Sequence, residues 1–153
     1  MIFRRGVIAA IFLLAGTSIS NAEIIAPENV TIVDGEVAMS LTGSAGNAEA
    51  GATVFGNKKL GNCLACHANK DMIKQLFHGD VGPEMDGVAD RWEPQQLRAI
   101  LVNSKAVFGD ETVMPGFYSL EVGQDVRKDL IGKTILSAEQ IEDVIAYLST
   151  LKE

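Results

Sequence analysis

The sequence predicts an all-α domain, and three segments carry that prediction. Ser137 and Gln140 form an S-x-x-Q capping box ahead of Ile141, Val144, Ile145, Leu148 and Leu151, which recur at helical spacing. Pro94 suits the first turn of a second helix, whose apolar stripe is Leu97, Ile100 and Leu101. Ala48 to Gly56 reads as a shorter helix, with Asn47 as N-cap and Gly51 and Phe55 four residues apart on one face. One strand signal stands against these helices. Asp34-Gly35 sits between two apolar runs within residues 30–39, which reads as a short hairpin or as an extended arm.

In chain order, Arg4 and Arg5 form a basic start, Val7 to Ala15 an apolar run, and Ser20-Asn21-Ala22 a small-residue cleavage site. That is the pattern of a secretory signal peptide over residues 1–22, and the apolar run is shorter than the ~20 residues that span a bilayer. The expectation is an exported, periplasmic chain without a membrane anchor. Residues 23–46 read as an N-terminal extension and residues 47–153 as the main domain. The formal charge is -7, and loss of Arg4 and Arg5 with the leader takes it to -9. An acidic surface of this kind argues against nucleic acid and anionic membranes, and favours partners with a basic patch; the plainer reading is that it keeps an exported protein soluble.

The first helix leads into Cys63-Leu64-Ala65-Cys66-His67, a C-x-x-C-H run. Two thiols at this spacing can each form a thioether to a haem vinyl group, and the next residue carries an imidazole that can reach the iron. Cys63 and Cys66 are the only cysteines, so no second C-x-x-C exists to complete a zinc site, and no βαβ context suggests a thioredoxin-like dithiol. The expectation is one covalently bound haem c with His67 as an iron ligand. Both thiols are then consumed, no Ser-His-Asp set or carboxylate pair stands out, and no catalytic residue is assigned.

A sixth iron ligand is sought among the methionines and histidines. Met39 precedes the haem motif, Met72 follows His67 too closely to reach the other haem face easily, and Met85 lies in a Gly-Pro loop. Met114 lies far downstream in a loop between two helices, and Pro115 stiffens it. Its position and the Met-Pro pair make Met114 the expected ligand, with His78 its rival.

Taken together, the Gly51/Phe55 helix, the C-x-x-C-H run, Gly82-Pro83, Met114-Pro115 and the last helix with Ala146-Tyr147-Leu148 resemble the class I cytochrome c family. The resemblance implies an all-α cytochrome fold around the haem. It also implies that Gly51, Phe55 and Tyr147 join the first and last helices, and that the Pro83 carbonyl accepts a hydrogen bond from His67. Three further segments look like the SoxX family, the monohaem subunits of SoxAX thiosulfate-oxidising cytochromes. They are Ser40 to Gly43, Gly82 to Arg91, and Met114 to Tyr118 followed, after an insertion at Gln124 to Thr134, by Ile135 to Val144. This narrower resemblance implies a heterodimer with a SoxA-like c-type cytochrome. That complex is an oxidoreductase of the L-cysteine S-thiosulfotransferase type, which joins thiosulfate oxidatively to a cysteine of a SoxYZ-like carrier. This chain would accept electrons and pass them to a small cytochrome c. Phe117 and Tyr118 are candidate contacts at the haem edge, or else packing beneath the haem. A free-standing soluble cytochrome c carrier, and a haem protein with a vacant sixth site, remain the alternatives.

Overall fold

A computed structural model describes residues 23–121, 123 and 125–153; the signal-peptide reading of residues 1–22, and Gln124 at the start of the insertion, lie outside the described residues. The architecture is all-α: α1 (Ala48–Gly56), the single turn α2 (Val88–Arg91), α3 (Pro94–Phe108) and α4 (Ala138–Leu148), joined by loops that contain short 3-10 turns. Among the described residues, no helix is long and apolar enough to cross a membrane.

Helices α1 and α4 form the principal helix pair. Asn47 Oδ1 accepts from the Ala50 amide at 2.9 Å to cap α1. In α4, Ser137 Oγ accepts from the Gln140 amide at 3.2 Å while Gln140 Oε1 accepts from the Ser137 amide at 2.9 Å. The crossing depends on Gly51, because a Cβ there would lie 1.9 Å from the Asp143 carbonyl oxygen. One turn along, Phe55 meets Tyr147 edge-on with ring centroids 5.7 Å apart.

Helix α3 carries a kink that periodicity does not announce. Asn103 is non-helical at φ -152°, ψ 90°. The break frees the carbonyls of Leu101 and Val102, which accept from the amides of Phe117 (2.9 Å) and Tyr118 (3.3 Å). Ser104, fully buried, donates its hydroxyl to the Met114 carbonyl. The Met114 loop is thus fastened to the kink. The excursion that follows it is closed by the Leu136 amide bonded to the Phe117 carbonyl at 2.9 Å.

The N-terminal extension is woven into this core. Leu41 is fully buried and Val37 nearly so. Arg98 of α3 donates to both carboxylate oxygens of Glu142 in α4 at 2.8 and 2.9 Å, and to the Val37 carbonyl at 2.9 Å. Glu142 also accepts from the Leu41 amide at 2.8 Å. Residues 30–39 form the predicted tight turn but not a ribbon. Asp34 and Gly35 take φ of 51° and 79°, and Val33 and Glu36 exchange both backbone hydrogen bonds. Pairing stops there because the Val37 amide bonds to the Gln95 carbonyl instead, at 3.0 Å.

Candidate haem site

Asn62 adopts a left-handed conformation (φ 51°) and opens the 3-10 turn Cys63–Ala65. This turn presents Cys63, Cys66 and His67 to one cavity of about 590 Å³. The loop carrying Gly82-Pro83 runs alongside it. The amides of Gly79, Gly82 and Met85 bond to the carbonyls of Leu64, Cys66 and Ala68 at 2.8, 2.8 and 2.9 Å. Only glycine permits this approach at position 82, where a Cβ would lie 2.3 Å from Cε1 of His67.

The Pro83 carbonyl oxygen lies 2.7 Å from Nδ1 of His67. A carbonyl can only accept, so Nδ1 carries a proton, and in the neutral ring the lone pair is then on Nε2. The imidazole is thereby held in the tautomer that can bind a metal through Nε2.

The rest of the wall is mostly apolar, with Asn62, Arg91 and Thr112 as polar members. It includes Leu97, Ile100 and Leu101 of α3, Val144 and Leu148 of α4, and Met114, Pro115 and Phe117 of the loop clamped to the kink. Burial pushes the Cys63 thiol up to about 12. Below that pH the thiol stays neutral, which makes it a poor redox or nucleophilic thiolate. Among the described residues, no cluster of three His, Cys, Asp or Glu side chains could hold a bare metal ion. An apolar cavity with two thiols and a tautomer-fixed imidazole on its wall suits a macrocycle rather than a bare cation.

The structure sorts the sequence candidates. Cys63, Cys66, His67, Pro83, Met85 and Met114 all line the cavity. Met72 is buried in the core and Met39 is exposed; neither lines it. His78 does not line it either, and both its ring nitrogens are engaged, one by the Asn69 amide (3.3 Å) and one by the Met72 carbonyl (3.2 Å). Phe117 and Tyr118 are only 6% and 5% exposed. They are packing residues rather than surface contacts, because the kink draws their amides onto α3 and Tyr118 Oη donates to the Ile25 carbonyl at 2.8 Å. Sequence reading missed the clearance at Gly82, the Ser104 clamp and the Arg98–Glu142 pair. Mid-helix Asn103-Ser104 was the available signal for the clamp, since both residues tend to bond backbone rather than extend a helix.

Comparison with known proteins agrees with this geometry. Residues 48–152 match the cytochrome c family. A chain in the crystal structure of SoxXA from P. pantotrophus is 42% identical, superposes with a TM-score of 0.76, and is matched over 84% of this chain and 98% of its own length. No curated protein matches the sequence. A cytochrome c domain implies covalently bound haem c, which the cavity and its C-x-x-C-H wall accommodate. The chain belongs to the cytochrome c family, as a class I cytochrome resembling SoxX.

Proposed function

We propose that this protein is the monohaem electron-transfer subunit of a periplasmic SoxAX-type thiosulfate-oxidising complex. The observation that carries the reading is the 42% identity over nearly the whole length of a chain in a SoxXA structure. The cavity geometry supports one haem held by thioethers to Cys63 and Cys66, with His67 and Met114 as axial ligands. Met114 is favoured over Met85 because the Met85 amide is tied to the Ala68 carbonyl beside His67, whereas Met114 rides on a separate loop anchored to α3.

The bound haem supplies one-electron chemistry. The chain's own residues hold and tune it. Pro83 orients His67 and makes it a better donor, the kink and Ser104 hold the Met114 loop, and the apolar wall excludes water. With both cysteines committed to haem, the chain supplies no nucleophile. Sulfur chemistry falls to a SoxA-like partner and a SoxYZ-like carrier, and electrons pass onward to a small cytochrome c. The partnership is tested by size-exclusion chromatography of the native protein with a thiosulfate-dependent cytochrome reduction assay. Co-elution with a second c-type cytochrome and loss of reduction on its removal are expected. A monomer that is dispensable for reduction would mark a free-standing carrier.

Ser104→Ala gives a finer check on the ligand loop. Loss of one buried hydrogen bond is expected to cost about 1 kcal/mol of stability. The freed loop should let added imidazole displace the sixth ligand faster, as followed by stopped-flow spectroscopy of the ferric protein. Unchanged displacement kinetics would show that the clamp does not act on the ligand.

A further inference from the structure

Three large apolar side chains stand out in the short loop after the haem motif. Ile73, Leu76 and Phe77 are 72%, 74% and 79% exposed. Water-facing apolar residues are unremarkable singly, but three within five residues form a patch that calls for a cover. Phe77 is also held at φ 69°, a conformation rare for an aromatic residue. Such strain gathers where a side chain is being presented. The Lys58 ammonium sits 5.4 Å from the ring centroid. Leu76 and Phe77 line a cavity of about 240 Å³, whose wall also includes Gly56, Lys58 and Gln75. Asn62 and Ala65 line both this cavity and the haem cavity, so the patch borders the haem site.

The charge around the patch runs against that of the chain. Residues 58–74 carry four lysines and one aspartate in a protein of net charge -7. Asp71 accepts from Tyr147 Oη at 2.8 Å, and Lys70 pairs with Asp86 at 3.4 Å. Among the described residues, Lys58, Lys59 and Lys74 have no carboxylate within ion-pair distance.

We infer that the Ile73–Leu76–Phe77 patch, with Lys58 over the Phe77 ring and Lys59 and Lys74 beside Lys58 and Ile73 in the chain, is the docking face for the partner cytochrome subunit, which meets it with carboxylates around an apolar centre. The inference rests on the subunit reading above. Two observations select this occupant. An apolar centre suits a lasting complex better than a brief electron-transfer encounter, whose interfaces are small and weak. A second copy of this chain, meeting patch to patch about a two-fold axis, would set lysines against lysines.

The test titrates the haem-loaded protein against the SoxA-like subunit from the same source by calorimetry, at low and physiological salt. Two variants are compared with wild type: Leu76→Ser with Phe77→Ser, and Lys58→Glu with Lys59→Glu and Lys74→Glu. Each is expected to weaken binding at least about tenfold, with the charge-reversal deficit shrinking as salt rises and haem spectra unchanged in both. Lys133→Glu with Lys152→Glu, outside the patch, should bind as wild type. Wild-type affinity in both patch variants overturns the docking face and leaves the subunit reading intact. A wild-type protein that binds no such subunit overturns both. Retained subunit binding with lost electron transfer to the small cytochrome, or a self-dimer that Phe77→Ser dissolves, overturns the choice of occupant.

Discussion

Glu142→Ala is expected to cost about 3–5 kcal/mol of folding stability, a large share of the 5–15 kcal/mol typical of a domain. Arg98 and Glu142 are 7% and 3% exposed and meet through two charge-assisted hydrogen bonds. Removing the carboxylate leaves a buried guanidinium without its counter-charge and orphans the Leu41 amide. Glu142→Gln keeps an acceptor for Leu41 and should fall between. The contrast is Lys70→Ala. That pair spans 3.4 Å with the lysine side chain 77% exposed, and its loss should change stability by no more than about 1 kcal/mol. Denaturant unfolding of the haem-loaded proteins checks all three. Equal losses for Glu142→Ala and Lys70→Ala would mean that the buried pair does not hold the extension to the core.

Met114→Ala is expected to remove the sixth iron ligand. A thioether favours ferrous iron over harder donors, so the reduction potential should fall when water or a nitrogen donor replaces it, and the long-wavelength ferric band of methionine ligation should vanish. Met85→Leu is the companion variant. Met85 is buried, and an apolar replacement of similar volume should cost under about 1.5 kcal/mol and leave spectrum and potential nearly unchanged. Potentiometric titration with ferric absorption spectra separates the two methionines. The pattern reversed, with Met85→Leu losing the band, would move the ligand to Met85.

What could be read in the sequence was what lies close together in it. The C-x-x-C-H run, the capping box of α4 and the Asp34-Gly35 turn are contiguous signals with local physical causes, and the structure forms each locally. The hairpin faded beyond its turn because Val37 finds its acceptor at Gln95. The burial of the extension escaped notice for a similar reason. Val37 and Leu41 carry no periodic stripe, and their charged tethers lie far along the chain at Arg98 and Glu142. The α3 kink was hidden inside an apolar helical pattern, since Leu101 and Val102 suit a helix and a tertiary partner equally. Only the loop at Phe117 and Tyr118, arriving to take their carbonyls, decides between continuing the helix and breaking it.

One measurement bears most directly on covalent haem attachment at Cys63 and Cys66: intact mass of the native protein after denaturation. The expected result is the mass of the polypeptide plus one haem, lost as a covalent adduct when both cysteines are replaced by alanine. A haem-free chain mass from native material, with intact thiols that react with alkylating agents, would contradict it.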